Sequence, residues 1–391
     1  MNILIITAMF PPIQTGSSFY AEDVAKALKS RGHNVTVVTL ENEEAMVDNR
    51  EFPAHRLRAI HLENLFKNHF KHFRISSCFL QNYKRVNQII KTNHSDIIFL
   101  VSHYHDIAFL AIVASLLNRI PLVCSVNTQL QLINLTTGKI LNFCDRLICG
   151  ELVLPFCQKI LSLDTEIERY LTDVYKEHIA TKSVIVPYGF HGDIEFFNNH
   201  NHDYELHNQL LGIGSIIEQR NFLSSITLFS KLINIFPNLR FKIIGHVYYD
   251  AALKLTKNLR IEDKVIFTGE LPHQEVLEEI QKSDIYMGII SGKYVGLGTA
   301  TLESMLMGIP VVANVPPNLF GENLLFDMQN YVYADLSRPE HLVEKITTLL
   351  QQKDLREKIG KNGKKLVKEH LDWDIISEKI ENLFVEVCKK T

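Results

Sequence analysis

The sequence predicts an α/β protein of two tandem domains, each a parallel sheet flanked by helices, and three observations predict it. The chain has 391 residues, more than one hydrophobic core usually organises. Apolar runs of strand length alternate with stretches of helical period through most of it. The alternation breaks once, in the polar stretch from Tyr188 to His207, and then begins again.

In order, Asn2 to Thr7 reads as a buried strand, followed by a loop to Gly16 and a helix through Lys29. Gly32 stands where a left-handed residue would end that helix. A strand from Asn34 to Leu40 follows at once, the spacing of a right-handed crossover in a parallel sheet. Further strands are expected at Asp96 to Val101, Pro121 to Val126, Lys159 to Leu163 and Ser183 to Val186. Past the polar stretch they are expected at Gln209 to Ile213, Arg240 to Ile244, Lys264 to Thr268, Ile285 to Ile290 and Pro310 to Val315. From Pro339 to Lys390 the pattern is helical, interrupted near Lys353 and at Asp372 to Trp373. Two similar halves in tandem imply a cleft between them.

Composition narrows the class. A hydrophobic fraction of 46% and a charged fraction of 22% are globular values that exclude disorder, collagen-like repeats and coiled coil. Lys+Arg 41 against Asp+Glu 44 leaves a net charge of -3, so nucleic acid is not an expected partner. The opening MNILIITAMFPP is too short to span a membrane and lacks a basic leader region, so it is not read as a signal peptide. Cys78, Cys124, Cys144, Cys149, Cys157 and Cys388 show no paired ligand spacing and read as reduced thiols, which points to a cytoplasmic protein.

In open parallel sheets ligands bind beyond the carboxyl ends of the strands. The first such loop is PPIQTGSS, where Gly16 lets a ligand approach and the N–H groups of Ser17, Ser18 and Phe19 favour an anion or a polar sugar group. The alternative is a simple tight turn with Ser17 as N-cap. The sharper candidate is GLGTATLESM, which puts Gly296 and Gly298 after a strand and before a helix. There the N–H groups of Thr299, Ala300 and Thr301 and the helix dipole would hold a diphosphate, with Glu303 one turn on to accept from ribose hydroxyls. Otherwise Glu303 simply offsets the dipole on a solvated face.

Taken in order, PPIQTG, VIVPYGF, GSIIEQRN, LRFKIIG, DKVIFTGELPHQEVLEEI, SDIYMGIIS, GLGTATLESMLMGIPVVAN and LDWDIISEKI resemble a retaining glycosyltransferase of family 4, over essentially the whole length. The resemblance implies the GT-B fold: two Rossmann-like parallel-sheet domains facing a cleft, over 1–190 and 191–373, with a final helix over 374–391 packing back on the first. It implies a nucleoside-diphosphate sugar as donor, no cofactor, and a glycan or lipid-linked acceptor, as in polysaccharide biosynthesis. Members bind the donor diphosphate with an Arg just after a Gly and a Lys five residues later. Here Gly214 keeps the glycine, Ser215 replaces the Arg and Arg220 replaces the Lys, so one cation survives. Of two family glutamates eight positions apart, the second is Glu303 and the first is replaced by Val295, which accepts no hydrogen bond. Where members often carry a His near the reacting sugar stands Asn127, which does not titrate.

His103 and His105 follow another strand and offer two imidazoles at the expected cleft edge. The resemblance implies that the leaving diphosphate helps deprotonate the acceptor, so positioning and charge stabilisation suffice, and no bound metal is expected. Between Leu62 and Lys91, Phe66, Phe70, Phe73 and Phe79 interleave with Lys67, Lys71, Arg74, Lys84 and Arg85, a pattern of a core helix with a basic face or of a peripheral membrane contact. Two other functions compete with transfer. A nucleotide-sugar epimerase would want titratable groups around the sugar, which Asn127 and Val295 do not supply. A non-catalytic nucleotide-sugar-binding scaffold would keep Arg220 and Glu303 and lose the rest.

Overall fold

The computed structural model describes residues 1–13, 15–41, 54–61, 74–128, 142–190, 197, 202–292 and 295–390. Phe66, Lys67, Phe70, Lys71 and Phe73 therefore lie outside the described residues, as does most of the polar stretch after His191. The chain forms two compact units, Met1–His191 with Trp373–Thr391, and Gly192–Asp372.

In the first unit the strands are β1 (Asn2–Thr7), β2 (Asn34–Leu40), β3 (Ala54–Leu57), β4 (Ile60–His61), β5 (Arg74–Ile75), β6 (Ile97–Val101), β7 (Leu122–Val126), β8 (Lys159–Ser162) and β9 (Ser183–Ile185). Seven form a parallel sheet in the order β3-β2-β1-β6-β7-β8-β9, while β4 and β5 pair antiparallel. Runs such as IIFLV in β6 and LVCSV in β7 are buried throughout, as strands covered on both faces require. The helix Gly16–Ser30 ends as expected at Gly32, whose φ is +86°. β3 was not foreseen: AHRL carries no apolar run and pairs only with β2 at the sheet edge.

The helix Trp373–Lys390 belongs to this unit. Ile376, Ile380, Leu383, Phe384 and Val387 recur at helical spacing and join Phe10, Tyr20 and Phe99 in one core. Trp373 packs over Gly189 so closely that a Cβ there would lie 2.5 Å from the indole.

In the second unit β10 (Gln209–Ile213), β11 (Arg240–Ile244), β12 (Val265–Gly269), β13 (Ile285–Gly288), β14 (Val311–Ala313) and β15 (Val332–Tyr333) form a parallel sheet in the order β12-β11-β10-β13-β14-β15. β13 stops short of the expected Ile290 because Asn314 takes over its pairing. The Asn314 side chain accepts from the Ile290 N–H at 2.9 Å and donates to the Ile290 carbonyl at 2.8 Å. In each large sheet the strand order reverses direction beside the first strand, between β1 and β6 and between β10 and β13. Loops leaving those strand pairs line the natural binding crevice of such a sheet.

Candidate functional site

The loop after β10 starts with Gly214, φ +135°, whose N–H donates to the Ile244 carbonyl at 2.9 Å. Gly245, φ +144°, lies against it: a Cβ on Gly245 would stand 2.2 Å from the Gly214 oxygen. Only a residue without a side chain at position 245 permits this approach. One short turn, Glu218–Arg220, then leads through left-handed Asn221 into the helix Phe222–Leu232. That turn sends the Arg220 side chain back over the start of its own loop. Its Nε lies 3.2 Å from a Cβ built on Gly214, and its Nη1 lies 3.4 Å from one built on Gly298. Thus Gly298, from a distant part of the sequence, meets Gly214 and Arg220 at the β10–β13 crevice.

The Ser291 hydroxyl donates to the Glu218 carbonyl at 2.9 Å and fastens the loop after β13 to the loop after β10. Gly298 is the N-cap of the helix Thr299–Leu306 and carries no side chain to satisfy the first amides. The expectation that three amides stand open is corrected for Thr301, whose N–H donates to the Gly298 carbonyl at 3.0 Å as the first turn tightens. Thr299 and Ala300 remain at the helix start beside the guanidinium. Arg220 has no ion-pair partner among the described residues, so a cation, a helix start and two glycines converge on one point.

Glu303 is buried, not on a solvated face, and its Oε1 lies 2.9 Å from His273 Nε2. His273 opens the helix His273–Gln281 in the loop after β12, and the hydrogen bond to Glu303 raises its pKa. Sequence reasoning missed His273, although ELPHQEV lies within a matching segment, because the contact joins the starts of two helices with a whole strand between them. It also missed Tyr286 on β13. Burial raises the pKa of the Tyr286 hydroxyl, while the Arg220 charge and a hydrogen bond with Thr301 oppose the rise. Val295 is buried, Gly296 partly so, and Ser215 is exposed.

In the first unit the N-cap is Thr15, not Ser17. Its hydroxyl accepts from the Ser18 N–H at 3.3 Å and its carbonyl from the Phe19 N–H at 3.0 Å, so neither amide is open to a ligand. Ser17 accepts from the Ser102 hydroxyl at 3.4 Å, which joins the loops after β1 and β6. Around Gly16 a Cβ would meet nothing within 4 Å. Asn127, directly after β7, has both amide atoms shielded from solvent with no hydrogen-bond partner among the described residues.

The expected edge position of the two imidazoles is not observed, since His103 and His105 are both buried. His103 Nε2 lies 3.1 Å from the Tyr175 hydroxyl, and burial pushes the imidazole pKa down to about 4. Tyr170 and Tyr175 each donate to Asp145 at 2.7 Å, closing a buried polar cluster. Two groups of ligand-type side chains that spacing did not reveal come together in three dimensions, His103 with Asp145 and Cys149, and His202 with Asp203 and His207. In the first, the Asp145 oxygens are already committed to the tyrosines.

The sequence matches the family model "Glycosyltransferase Family 4" over residues 15–190 and "Glycosyl transferases group 1" over residues 193–366. The chain belongs to the family 4 glycosyltransferases. This glycosyltransferase is 25% identical over 142 residues to an uncharacterised glycosyltransferase of Methanocaldococcus jannaschii, covering 36% of each chain. A second uncharacterised glycosyltransferase of that organism is 23% identical over 212 residues, 53% of this chain and 55% of the relative. The match thus spans about a third to a half of the length of these curated relatives. Among solved structures, HepE of Anabaena in complex with UDP superposes with a TM-score of 0.74 at 14% identity, covering 99% of this chain and 100% of that one. HepE has also been solved in complex with UDP-glucose. The glycosyltransferase therefore has the GT-B fold, the nucleotide-sugar-binding architecture of its family. Among the described residues no helix is long and apolar enough to cross a membrane.

Proposed function

We propose that the protein transfers a hexose-type sugar from a nucleoside-diphosphate sugar to a glycan or lipid-linked acceptor, with retention of anomeric configuration and without a metal or other cofactor. The observation that carries this reading is the Arg220 guanidinium held between Gly214 and Gly298 beside the amides that open the helix Thr299–Leu306. Such a site suits the two charged oxygens of a diphosphate, with the planar guanidinium and the helix dipole acting together. The hydrogen bond that holds Glu303 to His273, one turn further in, supports a role for its carboxylate in accepting from ribose hydroxyls. The uridine nucleotides in the HepE complexes support UDP as the first donor to test.

In this reading the departing diphosphate takes the acceptor proton while Arg220 and the helix start stabilise the charge that develops on it. Gly296 and Ser215, on loops of the same unit, would allow backbone contact with the donor. Calorimetric titration with UDP tests the core of the proposal. Arg220→Gln should weaken UDP binding by about one to two powers of ten, the value of a charge-assisted pair of roughly 1.5–3 kcal/mol. No binding of any nucleoside diphosphate by the unaltered protein would overturn it. Turnover of UDP-glucose in excess chelator, with the product anomer read by NMR, tests retention and metal independence.

The burial of Val295 where members of the family carry a glutamate favours one competing reading, a nucleotide-sugar-binding scaffold. Tight UDP binding without turnover of any donor would select it.

A further inference from the structure

In the first unit the segment Asp145–Val153 is a π-helix, closed by i→i+5 hydrogen bonds, and a short turn, Leu154–Phe156, continues it. Its buried side holds Asp145, Cys149, Gly150 and Val153, with Asp145 bound by Tyr170 and Tyr175. Several large apolar side chains of the same stretch are exposed. Phe143 is 65% exposed, Leu147 49%, Leu152 47% and Phe156 42%, and Ile148 stands beside Leu147. Phe143 precedes this helix and Phe156 closes the turn that follows it, so the exposed apolar side chains run across three consecutive pieces of backbone.

The same helix packs against Ile107–Asn118, whose last turn adds Leu116 and Leu117, 59% and 68% exposed. A run of large apolar side chains of this kind marks an interaction site rather than scattered surface residues. Charge indicates the partner. The exposed carboxylate on this segment, Glu151, is neutralised by Lys176 at 2.7 Å. Arg146 beside the stripe and Arg119 after Leu117 are exposed and have no ion-pair partner among the described residues. An apolar stripe flanked by uncompensated arginines complements a bilayer with anionic head groups, where the rings and leucines enter the acyl boundary and the guanidinium groups meet phosphates.

We infer that the exposed apolar side chains Phe143, Leu147, Leu152 and Phe156, with Arg146 and Arg119, dock the protein on an anionic membrane surface. The inference does not depend on the donor site, which is built from the other unit. It also differs from the segment between Leu62 and Lys91 that the sequence suggested.

The test is flotation of the full chain with vesicles of phosphatidylcholine alone and of phosphatidylcholine mixed with phosphatidylglycerol. Binding to the mixed vesicles is expected, weakening with added salt. Leu147→Glu with Leu152→Glu should reduce it by roughly a factor of ten or more, since two leucines lose their apolar burial. Arg146→Gln, at an exposed position, should reduce it selectively on the anionic vesicles. UDP affinity and the unfolding midpoint should be unchanged in both variants. Should the double variant fold poorly, Phe143→Trp read against the native chain, whose Trp373 supplies the background, gives a direct reading, because an inserted indole shifts its emission to the blue only with anionic vesicles. Equal flotation of native and variant chains overturns the inference. So does a dimer that the leucine substitutions dissociate while vesicles are never bound, which would make this face a contact between copies.

Discussion

At the scale of single residues, two imidazoles of this protein answer to opposite influences. His273 gains a carboxylate partner and is pushed toward its charged form, whereas His103 is sealed among apolar atoms and tyrosines and stays neutral. For His103 the sign follows from proton counting. Its folded pKa, about 4, lies below the unfolded value of about 6.5, so on acidification the unfolded chain takes up the proton first. The stabilisation is full above pH 6.5 or so and is lost as the pH falls toward 4. Denaturant titrations at a series of pH values should show a chain with His103→Gln losing less stability over that window than the native chain. Parallel curves would contradict the assignment. His103 followed a strand in the sequence, which suggested a place near substrate, but Tyr175 and Asp145 come from segments about 40 to 70 residues away. Nothing local announces such a cluster.

At the scale of elements, close approach of backbones decides which glycines matter. The helix Lys353–His370 crosses the loop after Thr299–Leu306 so tightly that a Cβ on Gly360 would lie 1.9 Å from the Gly308 oxygen. Gly360→Ala should therefore destabilise the second unit by about 1–3 kcal/mol or more, because backbone cannot yield as a side chain would. Gly16→Ala is the control, since its Cβ meets nothing within 4 Å and its backbone is not left-handed; a change of about half a kcal/mol or a slight gain is expected. Urea unfolding measures both, and equal costs would refute the contact argument. The sequence marked Gly16 as a site glycine by its place before a helix. Gly360 carried no such mark, because the need for it comes from an element some fifty residues earlier.

At the scale of the whole molecule, the last helix completes a domain that began at residue 1. Phe384 is fully buried and stacks near Phe99, with ring centroids 5.4 Å apart. Phe384→Ala should cost about 3–5 kcal/mol and lower the unfolding transition of the first unit. Because the Arg220 site lies in the other unit, UDP affinity measured below that transition should hold. Loss of both together would show that the final helix supports more than its own core.

Period and composition determined much of this fold. Gln209–Ile213 and Arg240–Ile244 are strands at the residues where the apolar runs stand, since a strand buried on both faces writes its burial directly into sequence. The cation and glycines of the donor site were legible because they follow strands and precede helices. Tertiary structure alone decided which of them meet. Arg220 reaches Gly298 only because β10 and β13, separated in the chain by two strands, are neighbours in the sheet. It alone decided that Thr301 closes its own helix turn, that His273 holds Glu303, and that a wide helix turns Asp145 inward and Leu147 out. Each of these is a pairing across long stretches of chain, and a one-dimensional pattern records the residues but not their partners.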